Sequence, residues 1–161
     1  MEQMRRKDRQ VTDWQEICAI LDACQVLHLG LQGADGPYVV PLSFGWEEQA
    51  GRIVLYFHGA SAGKKAALLE AQPLVCIECA RFFQYIQVKG GVTATYESVI
   101  GFGRAVLCQG AEAAHGLRLL LAHCGMDPAL ADGCAHMAAT KVYAVALDEI
   151  TAKRSAPAAA E

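Results

Sequence analysis

The segment Tyr56-Phe57-His58-Gly59-Ala60-Ser61-Ala62-Gly63-Lys64-Lys65 concentrates residue types that can hold an anion. A β-rich run ends in His58 and Gly59 and hands over to a helical pattern whose beginning holds Ser61, Gly63 and two lysines. Backbone N–H groups at a helix start, a hydroxyl and two ammonium groups can converge on a phosphate, and the glycines let it approach the main chain. Lysine at a helix N-terminus opposes the helix dipole, so its placement there calls for a reason. The spacing is not Gly-x-x-x-x-Gly-Lys-Ser/Thr, which excludes a Walker-type loop. The competing reading is an ordinary solvated lysine pair. His58 shares a strand face with Val54 and Tyr56, and it is either a hydrogen-bonded structural imidazole or a polar group that serves the anion loop.

The remaining constellations carry less. Cys76-Ile77-Glu78-Cys79 has Cys-x-x-Cys spacing, but it lies in a strand-like run where residues three apart point to opposite faces, and no second pair accompanies it. His123-Cys124 and Cys134-Ala135-His136 match no ligand spacing, so no metal is expected. Gly101-Phe102-Gly103-Arg104 is a fragment of a dinucleotide fingerprint lying inside a strand. The seven cysteines, Cys18, Cys24, Cys76, Cys79, Cys108, Cys124 and Cys134, are odd in number and set among apolar neighbours, which suits reduced, buried thiols.

These residues need elements to place them. Thr12 or Asp13 can cap a helix over about 13–24, with Trp14, Ile17, Cys18, Leu21 and Cys24 along one stripe. Segments 26–32 and 37–46 flank the turn Gly33-Ala34-Asp35-Gly36 and read as an antiparallel hairpin, and 52–59 follows as a third strand. A helix over 61–72 stops at Pro73, and 74–80 is a fourth strand. Residues 81–96 read as a strand fragment and an irregular loop. The run 97–110 fits a strand that bends at Gly101 and Gly103, a helix follows at about 111–124, residues 127–137 carry a weak pattern, and 141–153 is a last strand. No helix separates the first three strands, which excludes a parallel Rossmann sheet. The expected fold is mainly β with peripheral helices: a small closed or split antiparallel β-barrel.

At 161 residues the chain is one domain, 1–161, with 1–11 as a basic arm or edge segment and 155–161 as a small-residue tail. Its 53% hydrophobic and 19% charged residues exclude disorder for all but the ends. A net charge of −3 offers no field for a polyanion, so no nucleic acid is expected. No apolar stretch reaches the ~18 residues of a membrane span and the N-terminus has no signal core, so a cytoplasmic protein without membrane partners is expected.

In order, MRRKDRQVTDW, YVVPLSFGWE, LYFHGASAGKK, YESVIGFGRA and DEITAKR resemble the nitroimidazole-reductase branch of the pyridoxamine-phosphate-oxidase-like flavoproteins, over about residues 4–154. The resemblance implies an FMN-binding split barrel working as a homodimer with two flavin sites at the subunit interface. It implies that Lys64, Lys65 and Ser61 take the FMN phosphate. The isoalloxazine would run along Val40, Pro41, Leu42 and Ser43, with Ser98, Val99 and Ile100 near its pyrimidine side and His58 facing flavin and substrate. The implied activity is an FMN-dependent oxidoreductase passing electrons to a small-molecule acceptor, nitro-aromatic rings included. The Trp- and Arg-containing ending that grips substrate phosphate in true pyridoxamine-phosphate oxidases is replaced here by Asp148-Glu149-Ile150-Thr151-Ala152-Lys153-Arg154, which argues against vitamin B6 oxidation. Two rivals stand beside it: a haem-binding split barrel with His58, His28 or His123 as axial ligand, and a non-catalytic module or scaffold.

Overall fold

The computed structural model describes residues 4–132 and 140–155. Cys134 and His136, and the tail beyond Ser155, lie outside the described residues. The elements are β1 (Gln10–Val11), α1 (Trp14–Ala23), β2 (Leu27–Gly33), β3 (Gly36–Leu42), β4 (Gly45–Gln49), β5 (Arg52–Ala60), α2 (Lys64–Ala71), β6 (Leu74–Val88), β7 (Gly91–Cys108), α3 (Gly110–His123) and β8 (Thr140–Ser155), with 3-10 turns at Lys7–Arg9 and Pro128–Ala131. All strand pairs are antiparallel, in the order β3-β2-β6-β7-β8-β5-β4, with β1 beside β8. The fold is thus mainly an antiparallel sheet with helices around it, as expected.

The two ends of that order, β3 and β4, are joined in the chain by Ser43 and Phe44 alone. The three residue steps from Leu42 to Gly45 span at most ~11 Å, so the sheet must curl until its edges approach each other, leaving a seam between β3 and the β4–β5 edge. The continuous β-rich run 37–46 is therefore two strands: Phe44, fully buried, carries the chain from one edge to the other.

Inside the curl lies the main core, built from Leu27, Leu29, Leu31, Ile53, Leu55, Phe57, Val75, Ile77, Cys79, Val99, Val145 and Ala152. At the Leu27 end, α1 closes it with Ile17, Ile20 and Leu21, its start capped by the Asp13 carboxylate, which accepts from the Glu16 N–H at 3.0 Å. At the other end α2 inserts Leu69, and its Leu68 meets Gly33. A second cluster, with Val54, Tyr56, Ala113, Leu117 and Val142, packs α3 on the outside of β5 and β8. Glu47 of β4 fastens it by accepting from Tyr56 Oη at 2.9 Å and pairing with His115 Nε2 at 2.8 Å.

One further stretch departs from expectation. Residues 81–96 are not a loop: β6 and β7 form one long hairpin turning at Lys89 and Gly90, and beyond Tyr96, where β8 ends, its arms pair only with each other. Both faces of that ribbon are largely exposed and a bulge interrupts it between Phe82 and Gln84, so it has no period-2 burial pattern to read. Within the basic segment, Gln10 and Val11 form the edge piece that was one of the two readings expected, pairing with Lys153 and Ala152. The glycines of β7 have the expected local cause: a Cβ at Gly101 would lie 2.8 Å from Leu147 Cδ1, and one at Gly103 would lie 2.9 Å from Val145 Cγ1, next to a register shift.

Candidate functional site

Helix α2 begins at Lys64, not Ser61, because Gly63 has φ 114°, outside helical space. Ser61 therefore sits in the exposed bend before the helix. No side chain caps this terminus, so the first-turn N–H groups are left without intrahelical partners.

The two lysines diverge across the seam. Lys64 Nζ lies 4.7 Å from the ring centre of Tyr38 on β3, whereas Lys65 Nζ lies 5.5 Å from that of Phe57 on β5 and donates to the His58 carbonyl at 2.9 Å. Among the described residues neither has a carboxylate partner. Gly59 makes room for this arrangement: a Cβ there would lie 2.7 Å from Lys65 Cε. Burial lowers the proton affinity of the Lys65 ammonium, and burial with the nearby Lys65 charge lowers that of His58. His58 sits on the outer side of β5 beyond Tyr56 and adjoins the lysine that an anion would approach; its lowered proton affinity leaves it neutral at neutral pH.

Along β3 the side chains alternate. Val40 and Leu42 pack against the core, and Pro41 faces out, followed by the exposed Ser43. As the last strand of its path, β3 keeps one row of backbone N–H and C=O groups unpaired toward the seam. A planar ligand held here would meet Val40 and Leu42 through the main chain. The structure thus sets Lys64 beside Tyr38 of β3 and Lys65 beside Phe57 and the His58 carbonyl, with Ser61 in the bend before them; Val40 to Ser43 lie farther along β3.

Ser98, Val99 and Ile100 are elsewhere. Val99 is fully buried; Ile100 faces out, 38% exposed, and with Ser98, Met4, Thr151 and Lys153 lines a cavity of about 180 Å³. The register runs Pro41, His28, Glu78, Ile100 across four strands, which puts Ile100 three strand spacings, ~14 Å, from the β3 edge. Among the described residues no helix packs over this outer face of β3-β2-β6-β7, which exposes Val39, Leu74, Ile100 and Phe102. At its centre His28 Nδ1 pairs with Glu78 Oε2 at 2.8 Å, leaving Nε2 outward. His123 is committed elsewhere, its Nε2 bonded to the Cys24 carbonyl at 2.8 Å and its ring against Phe44. Sequence reasoning missed Tyr38 and Phe57, the shelves under the two lysines; Tyr38 alternates with Val40 and Leu42, and Phe57 with Leu55, which was the available signal. Among the described residues no cluster of three metal-ligating side chains occurs, and no helix is long and apolar enough to cross a membrane.

Comparison with known proteins places these features in a lineage. Among solved structures, the chain is similar to a candidate 5-nitroimidazole antibiotic resistance protein from Bacteroides thetaiotaomicron, at 24% identity over 89% of this chain and 85% of that one, with a TM-score of 0.73. It is similar to the flavocytochrome Anf3 of Azotobacter vinelandii, at 26% identity over 97% and 73% of the two chains and a TM-score of 0.81. The FAD- and haem-binding protein of Mycobacterium smegmatis shares the fold at 18% identity, 92% and 74% coverage and a TM-score of 0.78. No curated protein sequence matches the chain. The family model for pyridoxamine 5′-phosphate oxidase matches residues 13–154, and with the curled antiparallel sheet and its seam this makes the chain a member of that flavin-binding, split-barrel family.

Proposed function

We propose that this protein is an FMN-dependent oxidoreductase that works as a homodimer, with flavin sites at the subunit interface, and hands electrons to a small-molecule acceptor. Nitro-aromatic compounds of the 5-nitroimidazole kind are candidate acceptors, and a cytoplasmic setting goes with the reduced cysteines. The observation that carries the reading is the lysine pair: two ammonium groups, without carboxylate partners among the described residues, straddle the seam at an uncapped helix start. A monoester phosphate supplies the charge they lack.

In this reading Lys64, Lys65 and the Ser61 hydroxyl hold the phosphate, and the unpaired edge of β3 from Val40 to Ser43 hydrogen-bonds the ring system. Bound flavin would supply two-electron redox chemistry, while the protein contributes orientation and exclusion of water. His58, neutral and next to Lys65, can accept a hydrogen bond from an acceptor molecule or, once protonated, deliver a proton to it. Ser98 and Ile100 reach a flavin only from a second copy, because in one protomer they lie three strands from the β3 edge.

A haem reading has one observation in its favour: His28, on the bare outer face, has the tautomer-fixing carboxylate and free Nε2 that an axial ligand needs. An absorption spectrum and titrations of the apo-protein with FMN, FAD and haemin separate the readings. Stoichiometric FMN binding with quenched flavin fluorescence is expected. Stoichiometric haemin binding in the absence of any flavin binding would overturn the proposal.

A further inference from the structure

The segment from Arg6 to Val11 lies against the base of the β6–β7 ribbon, where Arg9 Nη2 donates to Thr93 Oγ1 at 3.2 Å and the Arg9 guanidinium sits 5.8 Å from the centre of the Tyr96 ring. Segment and ribbon line a cavity of about 490 Å³, together with Glu16 of α1 and with Arg154 and Ser155 at the end of β8. The amino-terminal segment, the ribbon and the last strand thus wall one space, which shares no residue with the Ser61 to Lys65 loop. We propose that this cavity binds a small organic monocarboxylate, its oxygens on Arg9 and its apolar body against the ribbon.

The charges select the class of ligand. Three guanidinium groups and two carboxylates line the cavity, which leaves one positive charge. Arg6 is committed to Asp8, its Nε and Nη2 lying 2.8 and 2.6 Å from the two carboxylate oxygens. Arg154 is committed to Glu97 and Glu16, at 2.6 and 3.1 Å. Glu97 is shared with Arg81 at 3.7 Å, so this next layer of charge also balances. Arg9 is the remaining cation, half-buried and without a carboxylate partner among the described residues. Its planar fork matches the two oxygens of a carboxylate. A dianion such as phosphate would set a second negative charge beside Asp8 and Glu16 with nothing to balance it. The apolar part of the lining is Val11, which is buried, Ile86, which is half-buried, and Val88, which is exposed. Covering Ile86 and Val88 favours a ligand with a hydrocarbon body over a bare ion. Such a ligand also bridges the amino-terminal segment to a ribbon whose strands, beyond Tyr96, pair only with each other.

The test is a titration of the isotope-labelled full-length protein, without flavin, with benzoate, followed through the backbone amides by NMR. Saturable shifts are expected at Val11, Ile86 and Thr93, with slower hydrogen exchange along the ribbon, and neither benzyl alcohol nor inorganic phosphate should reproduce them. Arg9→Gln should raise the benzoate dissociation constant by about tenfold or more. Three results on the wild-type chain would each overturn the inference: no saturable shift at these residues, benzoate shifts confined to the Ser61 to Lys65 loop, or equal binding of benzyl alcohol or phosphate in the cavity. Undiminished benzoate binding by a folded Arg9→Gln chain would overturn it as well. The wild-type results depend neither on the variant folding nor on whether the chain binds flavin.

Discussion

Lys65 and His58 are bases that the folded chain holds with less than their ordinary affinity for a proton, His58 because it is partly buried and Lys65 is beside it. For such groups the unfolded chain binds more protons just below the group's ordinary value, imidazole for His58 and lysine ammonium for Lys65, so stability rises with pH through each window and falls on acidification. An anion in the loop favours the charged forms and reverses both shifts. Adding FMN, or inorganic phosphate at high concentration, should therefore raise the pH at which the His58 ring protons titrate by NMR, and an unmoved titration would remove the anion from this loop. Charge-assisted bonds to a phosphate contribute about 1.5–3 kcal/mol each. The double change Lys64→Ala, Lys65→Ala should thus weaken FMN binding by orders of magnitude in a fluorescence titration, with the far-UV spectrum retained because both residues begin an exposed turn. His58→Gln separates two roles for the imidazole: lost turnover of a nitro-aromatic acceptor at full flavin occupancy marks proton delivery, whereas unchanged turnover would leave His58 a structural residue.

Helix α3 lies against the seam's other wall at a distance that only glycine permits. A Cβ at Gly45, the first residue of β4, would run into the backbone of Leu119 and Leu120, which cannot swing aside as a side chain does. Gly45→Ala should cost roughly 1–3 kcal/mol by urea unfolding, and wild-type stability would show that α3 is not seated as described. At this scale legibility followed burial. Strand β2 and helices α1 and α3 were readable because one face of each meets a core, and β5 because its continuous apolar run 53–57 is buried on both faces, whereas the ribbon 82–95 has exposed residues on both sides and left no alternation. The break at Ser43 and Phe44 was hidden because both flanking segments are β-rich, and only the pairing of β3 with β2 and of β4 with β5 separates them. The start of α2 shifted from Ser61 to Lys64 for a backbone reason, the positive φ of Gly63, that residue type hints at but does not fix. In the candidate site, the run from Ser61 to Lys65 stood out in local sequence, but the position of Lys64 against Tyr38 did not, since that follows from the closure of the whole sheet.

At the scale of the whole molecule, the described residues leave one face bare. Outside β3-β2-β6-β7, Val39 at 60% and Phe102 at 45% exposure stand with Leu74 and Ile100, and the ribbon adds Phe82 and Tyr85; an apolar surface of this extent on a small domain marks an interaction site. A second copy seated there would bring its Ser98 and Ile100 toward the first copy's seam, and the opposite pair would meet by two-fold symmetry. That arrangement predicts complementation between two damaged chains. The Lys64→Ala, Lys65→Ala chain lacks the phosphate grip but has an intact Ser98, and a Ser98→Tyr chain has the reverse defect. Each alone should bind little FMN. After subunit exchange, half of the dimers are mixed, and each mixed dimer carries one site built from the two intact halves, so about a quarter of all sites should recover binding. Recovery at that level in an FMN titration supports a flavin shared between subunits. If the mixture binds no more than its parts while sedimentation shows exchanged dimers, the lysines and Ser98 serve one flavin within a single protomer, or Ser98 does not meet it at all.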